Sequence, residues 1–245
     1  MSQATVPRYI QIADQLRRNI QAQLYQVGDR LPPESQLSQQ FEVNRHTLRQ
    51  AVALLSQEGL LRAERGRGTF VAAPIRYAIG QRVRYNETLK ALGHKAEFIV
   101  LKALELPADA AVAVGLEVNV GDSVALIERL GMADGHPISV ANSYFPLVLF
   151  PDLLAEDSLR FFEETGSISR WLRDRFAVDH LRLRTSVSAR LVQPRDAKLL
   201  QLSLNQPILL AESVNVDQTG RRIEYGVTRL RGDRMELVFE NSISR

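Results

Sequence analysis

The sequence contains no cysteine. A disulfide scaffold and thiolate-held metal sites are therefore excluded, and the composition is compatible with a reducing cytoplasm, the expected location. The opening stretch Met-Ser-Gln-Ala-Thr-Val-Pro-Arg has no apolar signal core, and no later run approaches the length of a membrane span. No membrane partner is expected. Signatures of catalysis are missing as well: there is no Gly-x-Ser-x-Gly elbow, no Gly-rich phosphate loop and no histidine pair at metal-ligand spacing. His94, His136 and His180 are scattered over expected loops and strand edges, where a histidine is ordinarily exposed or structural. Asp152, Glu156 and Asp157 read as solvated charges. Nothing joins a nucleophile to its base, so neither catalytic residues nor a cofactor or metal is expected.

Excess charge is scarce too, but its position is informative. The 245 residues carry a formal net charge of +3, too little to argue for nucleic acid alone. Through Ala73 there are nine basic and six acidic residues, while the remainder is balanced at twenty-two of each. All the excess lies in the first third of the chain. An apolar fraction of 45% with 24% charged residues is ordinary globular composition, and the length suits one small and one medium domain.

In that first third, Leu48, Ala51, Val52 and Leu55 recur at helical spacing, so a helix beginning near Arg45 buries one stripe. His46, Arg49, Gln50 and Ala53 point outward, with Arg45 and Thr47 on the shoulders, and this face has no carboxylate. Asn44 is a good N-cap and Gly59 a good stop. Pro32-Pro33-Glu34 opens a shorter helix with Leu37 and Phe41 on one face, and Glu42-Val43 is a helix-turn-helix connection. Leu60 to Ala63, the turn Arg65 to Gly68 and Thr69 to Val71 read as a hairpin with a basic tip. From Arg8 to about Gln23, the residues Tyr9, Ala13, Leu16, Ile20 and Leu24 form the stripe of a scaffold helix. Together these predict a winged helix whose second helix fits the major groove, where base edges display a sequence-specific donor and acceptor pattern.

At these residues the chain resembles the GntR family of bacterial regulators. The matching pieces are Leu31-Pro-Pro-Glu34, Leu37, Val43 to Ala51, Glu58-Gly59 and Gly66 to Val71, covering roughly residues 7 to 72. The resemblance implies dimeric, sequence-specific binding to double-stranded DNA at a palindromic operator. It places DNA contacts at Arg8, Glu34, Ser35, Asn44, Arg45, His46, Thr47, Arg49, Gly66, Arg67, Gly68 and Thr69. Ser35 stands where many members carry a basic residue.

Residues 73–80 contain a proline and no clear period, and are expected to be a linker between a DNA-binding domain over 1–72 and a second domain over 81–245. The second domain reads as α+β. Helices are expected at Asn86 to Leu92, after Pro107, at Pro151 to Glu163, at Ile168 to Phe176 and at Pro194 to Leu202. Strands are expected at Glu97 to Leu104, on either side of Asp134-Gly135, at Leu181 to Leu191, and as a hairpin over Pro207 to Leu230. Met235 to Phe239 is expected to close the sheet. This part resembles the UTRA effector domain of the HutC branch, with its chorismate-lyase-like mixed or antiparallel sheet. The carrying residues are Glu128-Arg-Leu, Asp134-Gly-His-Pro-Ile138, Ser143-Tyr-Phe-Pro146, Arg190, Ile223-Glu-Tyr225 and Arg231-Gly-Asp233. The resemblance implies a homodimer with an effector pocket among Arg84, Arg129, Tyr144, Ser167, Glu224 and Tyr225.

Arginine forks, a helix N-terminus at Ser167 and tyrosine walls suit a small anionic effector of phosphonate or phosphate type. Arg129 can instead pair with Glu128, and Tyr225 can be core. Relatives that bind sugar phosphates often have a second arginine two positions after Arg129, where this chain has Gly131. Asn44 to Arg49 and Arg84-Tyr-Asn86 look most like phosphonate-utilisation regulators. The expected function is an effector-controlled repressor. The rivals are an enzyme acting on a small carboxylate, and a winged helix used for protein contacts or sequence-blind binding.

Overall fold

The computed structural model describes residues 6–64, 66–80 and 85–239, with Tyr85 and Asn86 described by backbone alone. Contacts divide the chain into two compact units, one up to Pro74 and one from Ile75.

The first unit holds helices α1 (Arg8–Gln21), α2 (Glu34–Gln40) and α3 (Arg45–Gln57), then strands β1 (Leu61–Glu64) and β2 (Gly68–Val71) in an antiparallel hairpin. Ile12, Leu16, Leu37, Leu48, Ala51, Leu55, Leu61 and Val71 share one core. Asp29 and Leu31 add a third rung to the hairpin, with Leu31 N donating to Thr69 O at 2.8 Å and Val71 N to Asp29 O at 2.9 Å. Arg17 spans from α1 to the end of α3, its Nη2 lying 2.7 Å from Glu58 Oε2. Leu24, expected on the α1 stripe, is 70% exposed. The helix stops at Gln21, and the left-handed turn at Gln23 (φ 58°) sends Leu24 off the buried face.

The start of α3 depends on Asn44, whose Oδ1 accepts from Thr47 N at 2.8 Å and from Thr47 Oγ1 at 3.1 Å. Losing this cap leaves amides of the first turn unsatisfied. Asn44→Ala is expected to cost about 1 kcal/mol of stability, read as a lower urea midpoint at unchanged slope.

In the second unit, the stretch expected to be a bare linker contains a strand. Here β3 (Ile75–Ala78) pairs in parallel with β10 (Met235–Val238). This corrects two expectations, because Met235 onward does not close the main sheet. The apolar alternation Ile75, Tyr77 and Ile79 on one side and Met235, Leu237 on the other drives this pairing, and the same residues join one core cluster with Leu89, Ala96 and Leu230.

The remaining elements are α4 (Tyr85–Ala91), β4 (Ala96–Pro107), α5 (Ala110–Leu116), β5 (Ser123–Ala133), β6 (His136–Pro146), α6 (Glu156–Thr165), α7 (Ile168–Phe176), β7 (Leu181–Leu191), α8 (Pro194–Leu200), β8 (Pro207–Val216) and β9 (Arg222–Arg231). Six strands form one antiparallel sheet in the order β4-β5-β6-β9-β8-β7. The hairpin at Asp134-Gly135 forms as expected, with both residues at positive φ.

Strand alternation gives the sheet two different faces. One packs on α5 through Val124, Val214 and Tyr225, and on α8 through Val140 and Ile208. The other packs on α6 and α7 through Ala125, Ile127 and Phe145 at one end, where Trp171 meets Phe150, Phe162 and Phe176 edge-on or tilted. The β3–β10 pair and α4 cover that face at the other end. On the α5 side the packing is tight, because a Cβ at Gly115 would lie 2.6 Å from the Tyr225 ring. Gly115→Ala is expected to destabilise the unit by about 1–3 kcal/mol, measurable by thermal unfolding.

No helix among the described residues is long and apolar enough to cross a membrane.

Candidate functional site

Two sites take shape, one in each unit. In the first, Arg45, His46 and Arg49 stand on the exposed face of α3. Thr47 is half-buried, with its hydroxyl committed to the Asn44 cap. The outer face of α3 lacks a carboxylate of its own, yet α2 supplies one. Glu34 Oε2 lies 2.9 Å from Arg49 Nε, an exposed ion pair that links α2 to α3. Ser35 is exposed beside it at the start of α2. Arg8 is also exposed, donating to Gln11 Oε1 at 3.1 Å and to the Phe41 carbonyl at 3.2 Å, so it sits near the end of α2.

The hairpin turn is shaped by its glycines. Gly66 has φ 76° with open space around it, as a turn tip requires. Gly68 has φ 118°, and a Cβ there would lie 2.6 Å from Arg30 Nε. Arg67 Nη1 is 2.5 Å from Glu64 Oε2 and its guanidinium lies 5.7 Å from the Phe70 ring centre. Thr69 takes part in the hairpin backbone. Arg65, the remaining basic residue of the expected tip, lies outside the described residues. A groove-sized helix with two outward arginines, beside a turn carrying another, can present donors to base edges and cations to phosphates.

In the second unit a cavity of about 140 Å³ opens on the sheet face between α7 and the β3–β10 pair. Its floor is made of small side chains: Gly131, Ser139, Ala141 and Ser143, then Ala211, Ser213, Gly226 and Thr228. Larger residues at those positions would fill the space against the covering layer. Arg129 reaches in from β5, its Nη2 donating to Ser143 Oγ at 2.7 Å and its guanidinium 5.3 Å from the Phe98 ring centre. Ser167 caps α7 at the rim, accepting from Arg170 N at 3.1 Å.

Glu224 lies at the floor of this cavity, 5% exposed. Its Oε2 meets His180 Nε2 at 2.6 Å and accepts from Asn215 Nδ2 at 2.5 Å. Burial alone would raise its carboxyl, but His180, Arg129 and a hydrogen bond from Ser143 outweigh burial and hold it down at about 2. An ionised carboxylate only accepts, so the shared proton sits on His180 Nε2. The other ring nitrogen, Nδ1, lies 2.7 Å from Ser169 Oγ on α7. The chain Ser169, His180, Glu224 thus ties the first turn of α7 to the sheet. A carboxyl depressed in the fold contributes stability that is fully present above its ordinary 4.5 and is lost as pH falls toward about 2. Glu224→Gln is expected to remove that acid-labile part, so its urea midpoint should fall less than wild type's between those pH values.

Of the expected pocket residues, Arg129, Ser167 and Glu224 come together and Arg84 lies outside the described residues. Tyr144 and Tyr225 do not belong to the cavity. They stack on each other on the opposite face, 6.1 Å between ring centres, against α5. Burial, then the Glu212 carboxylate that accepts from Tyr225 Oη at 2.7 Å, pushes the Tyr225 hydroxyl up. The alternation of a strand requires this: Ser143 and Glu224 face the cavity, so their neighbours Tyr144 and Tyr225 cannot. Nor does Arg129 pair with Glu128, which points to the other face and binds Arg195 at 2.5 Å.

Polar cavity residues that were not expected include His180, Arg182 and Asn215. His180 was read as exposed or structural and is 6% exposed. A bulge between Arg182 and Arg184 interrupts the register of β7. Before it the even-numbered His180 and Arg182 face the cavity, whereas after it Thr185 does. Unbroken alternation would have set His180 and Arg182 on the same face as Arg184. Arg182 is also hydrogen-bonded to Tyr77 of β3. The cavity therefore holds two arginines on either side of a small-residue floor, even though Gly131 replaces the arginine often found two positions after Arg129.

Comparison with known proteins agrees with this architecture. Residues 8–71 match the bacterial regulatory proteins of the gntR family, and residues 91–236 match the UTRA domain. An HTH-type transcriptional regulator of Rhizobium meliloti is 33% identical over 240 residues, covering 97% of this chain and 96% of its own. The probable transcriptional regulator PhnF of Escherichia coli is 31% identical over 237 residues, covering 96% of this chain and 95% of its own. The crystal structure of PhnF from Mycobacterium smegmatis superposes with a TM-score of 0.66 at 30% identity, covering 95% of this chain and 100% of that one. These relatives are named as regulators of transcription and not as enzymes. The chain belongs to the GntR family of bacterial regulatory proteins, with a UTRA domain after its helix-turn-helix, and is a transcriptional regulator.

Proposed function

We propose that this regulator is a repressor that binds a palindromic operator as a homodimer and is released by a small anionic effector of phosphonate or phosphate type. The observation that carries the effector half is the convergence of Arg129, Arg182 and the Ser167 end of α7 on one cavity. Guanidinium forks and helix-end amides are the groups that bind tetrahedral oxyanions. The exposed arginines of α3 carry the operator half.

The cavity walls come from separate pieces of the unit, α7 on one side and β3 with β10 on the other. An anion held by Arg129 and Ser167 on one side and by Arg182, which is bonded to Tyr77 of β3, on the other would draw those pieces together. Because β3 follows the wing strand after only residues 72–74, a change in its position is passed directly into the chain that leads to the DNA-binding unit. The effector then selects a dimer geometry with the wrong spacing of recognition helices, to the extent that it binds that geometry better. A hundredfold release from the operator requires a coupling of about 2.7 kcal/mol.

The test is a mobility-shift titration on the DNA upstream of the protein's own gene, at fixed salt, with and without a panel of alkylphosphonates, phosphate esters and carboxylates. A saturable shift on one palindrome, reversed by one phosphonate or phosphate ester, is expected. Equal binding to random DNA would refute the operator half; reversal by a carboxylate alone would refute the effector class.

A further inference from the structure

One row of the cavity floor runs through Arg182 on β7, Asn215 on β8 and Glu224 on β9, which are register partners in turn. Neighbouring strands lie about 4.7–4.9 Å apart, so a cation, an amide and an anion stand side by side. Asn215 is 1% exposed, and Glu224 fixes which way its amide points. An ionised carboxylate only accepts, so Asn215 must turn Nδ2 toward Glu224 Oε2, 2.5 Å away. That leaves Asn215 Oδ1 buried with no donor among the described residues. Arg182 Nε is likewise buried with no acceptor among them, although that side chain also bonds Tyr77. A buried donor or acceptor left unsatisfied costs more than an ordinary hydrogen bond gains. The oxyanion inferred above answers the arginine, but ionised oxygens accept and cannot serve Asn215. Charge points the same way. Among the described residues of the lining, the guanidiniums of Arg129 and Arg182 are already matched by the carboxylates of Glu87 and Glu224. An anion entering without a cation would leave an excess of negative charge.

We propose that the effector is zwitterionic: a protonated amine accompanies its phosphonate or phosphate group and donates to Asn215 Oδ1 beside the Glu224 carboxylate. This rests on the anion-binding reading given above and narrows its ligand class. An ammonium group has three donors and no acceptor, which suits a corner made of an amide oxygen and a carboxylate. Ser143 sets the length of the ligand. Its Oγ accepts from Arg129 Nη2 at 2.7 Å, and its hydroxyl bonds Glu224 in turn. A single hydroxyl therefore separates the oxyanion end of the site from the ammonium end. A linker of about two or three carbons, at roughly 1.5 Å per bond, spans that interval.

Calorimetry on the full-length protein tests this with three probes of nearly equal size. These are 2-aminoethylphosphonate, propylphosphonate, in which a methyl group replaces the ammonium, and 2-hydroxyethylphosphonate. The amine is expected to bind roughly ten- to a hundredfold tighter than propylphosphonate, because a site built to receive a donor rejects the analogue lacking it. Asn215→Ala is expected to shrink that ratio to about threefold or less, whereas a general loosening of the fold would weaken both ligands and keep the ratio. If the variant does not fold, the comparison on the wild-type protein decides alone. Equal affinity for the amine and propylphosphonate overturns the ammonium and leaves the anion site standing. Equal affinity for the amine and 2-hydroxyethylphosphonate shows that a neutral donor suffices, and overturns the charge. Binding of none of the three, by protein that still binds its operator, overturns the anion site and the zwitterion together.

Discussion

Replacing Arg49 by alanine is expected to weaken binding to the cognate palindrome by roughly two to four orders of magnitude. A bidentate arginine contact to a base edge discriminates by about 1–3 kcal/mol, and a dimer makes it twice. The loss should be confined to the specific site, because sequence-blind attraction comes from phosphate neutralisation spread over many cations. One feature of the structure complicates the reading of this variant. Glu34 lies 2.9 Å from Arg49, so removing the guanidinium alone leaves a bare carboxylate facing DNA. The double variant Glu34→Ala/Arg49→Ala separates the two effects. If Glu34 only orients Arg49, the double variant binds somewhat better than Arg49→Ala and remains far below wild type. Competition titrations of one labelled operator against random DNA give the ratio directly. An equal loss on both DNAs would mean that Arg49 holds phosphate and that base reading lies elsewhere on α3.

Arg129→Ala is expected to reduce effector response by about a hundredfold while changing operator affinity by no more than about twofold. The guanidinium donates into the cavity floor at Ser143 and faces Glu224, and charge-assisted hydrogen bonds of this kind are worth about 1.5–3 kcal/mol each. Arg182→Ala should produce a loss of similar size, since it supplies the second cation from the far side of the floor. Lysine at either position should recover part of the response, because a point charge replaces the fork without its geometry. The readouts are the effector concentration for half-release in the mobility shift and effector binding by calorimetry. A normal calorimetric affinity with lost release would reassign the arginine from holding the anion to transmitting its presence.

The first unit was almost wholly legible because its determinants are local. The Asn44 cap, the three-four spacing of Leu48, Ala51 and Leu55, and the glycines of the turn each act within a few residues of where they stand. Pairings between distant segments were not legible in the same way. Nothing near Ile75 announces that it will lie beside Met235, so a paired strand read as a linker. The cavity shows both sorts of failure. Tyr144 and Tyr225 could have been excluded on alternation alone, once their neighbours Ser143 and Glu224 were taken to face the ligand. His180 and Arg182 could not have been recovered that way, because the bulge that turns them inward is visible only in the register with β8. A better signal was available in the floor itself. Runs such as Ser139-x-Ala141-x-Ser143 and Ala211-x-Ser213 put small residues at every second position of central strands, where bulky aliphatic side chains are usual.

That floor also bears on how such a protein changes its chemistry over evolutionary time. Strand pairing is made by the backbone, so Ala141, Ser213 or Thr228 can grow by one or two carbons without disturbing the ladder. Each added carbon is subtracted from a space of about 140 Å³. Single-nucleotide changes at these positions would therefore resize the chamber in small steps while the arginines stay in place, and a lineage could move among ligands of different bulk before altering anything that holds the sheet together.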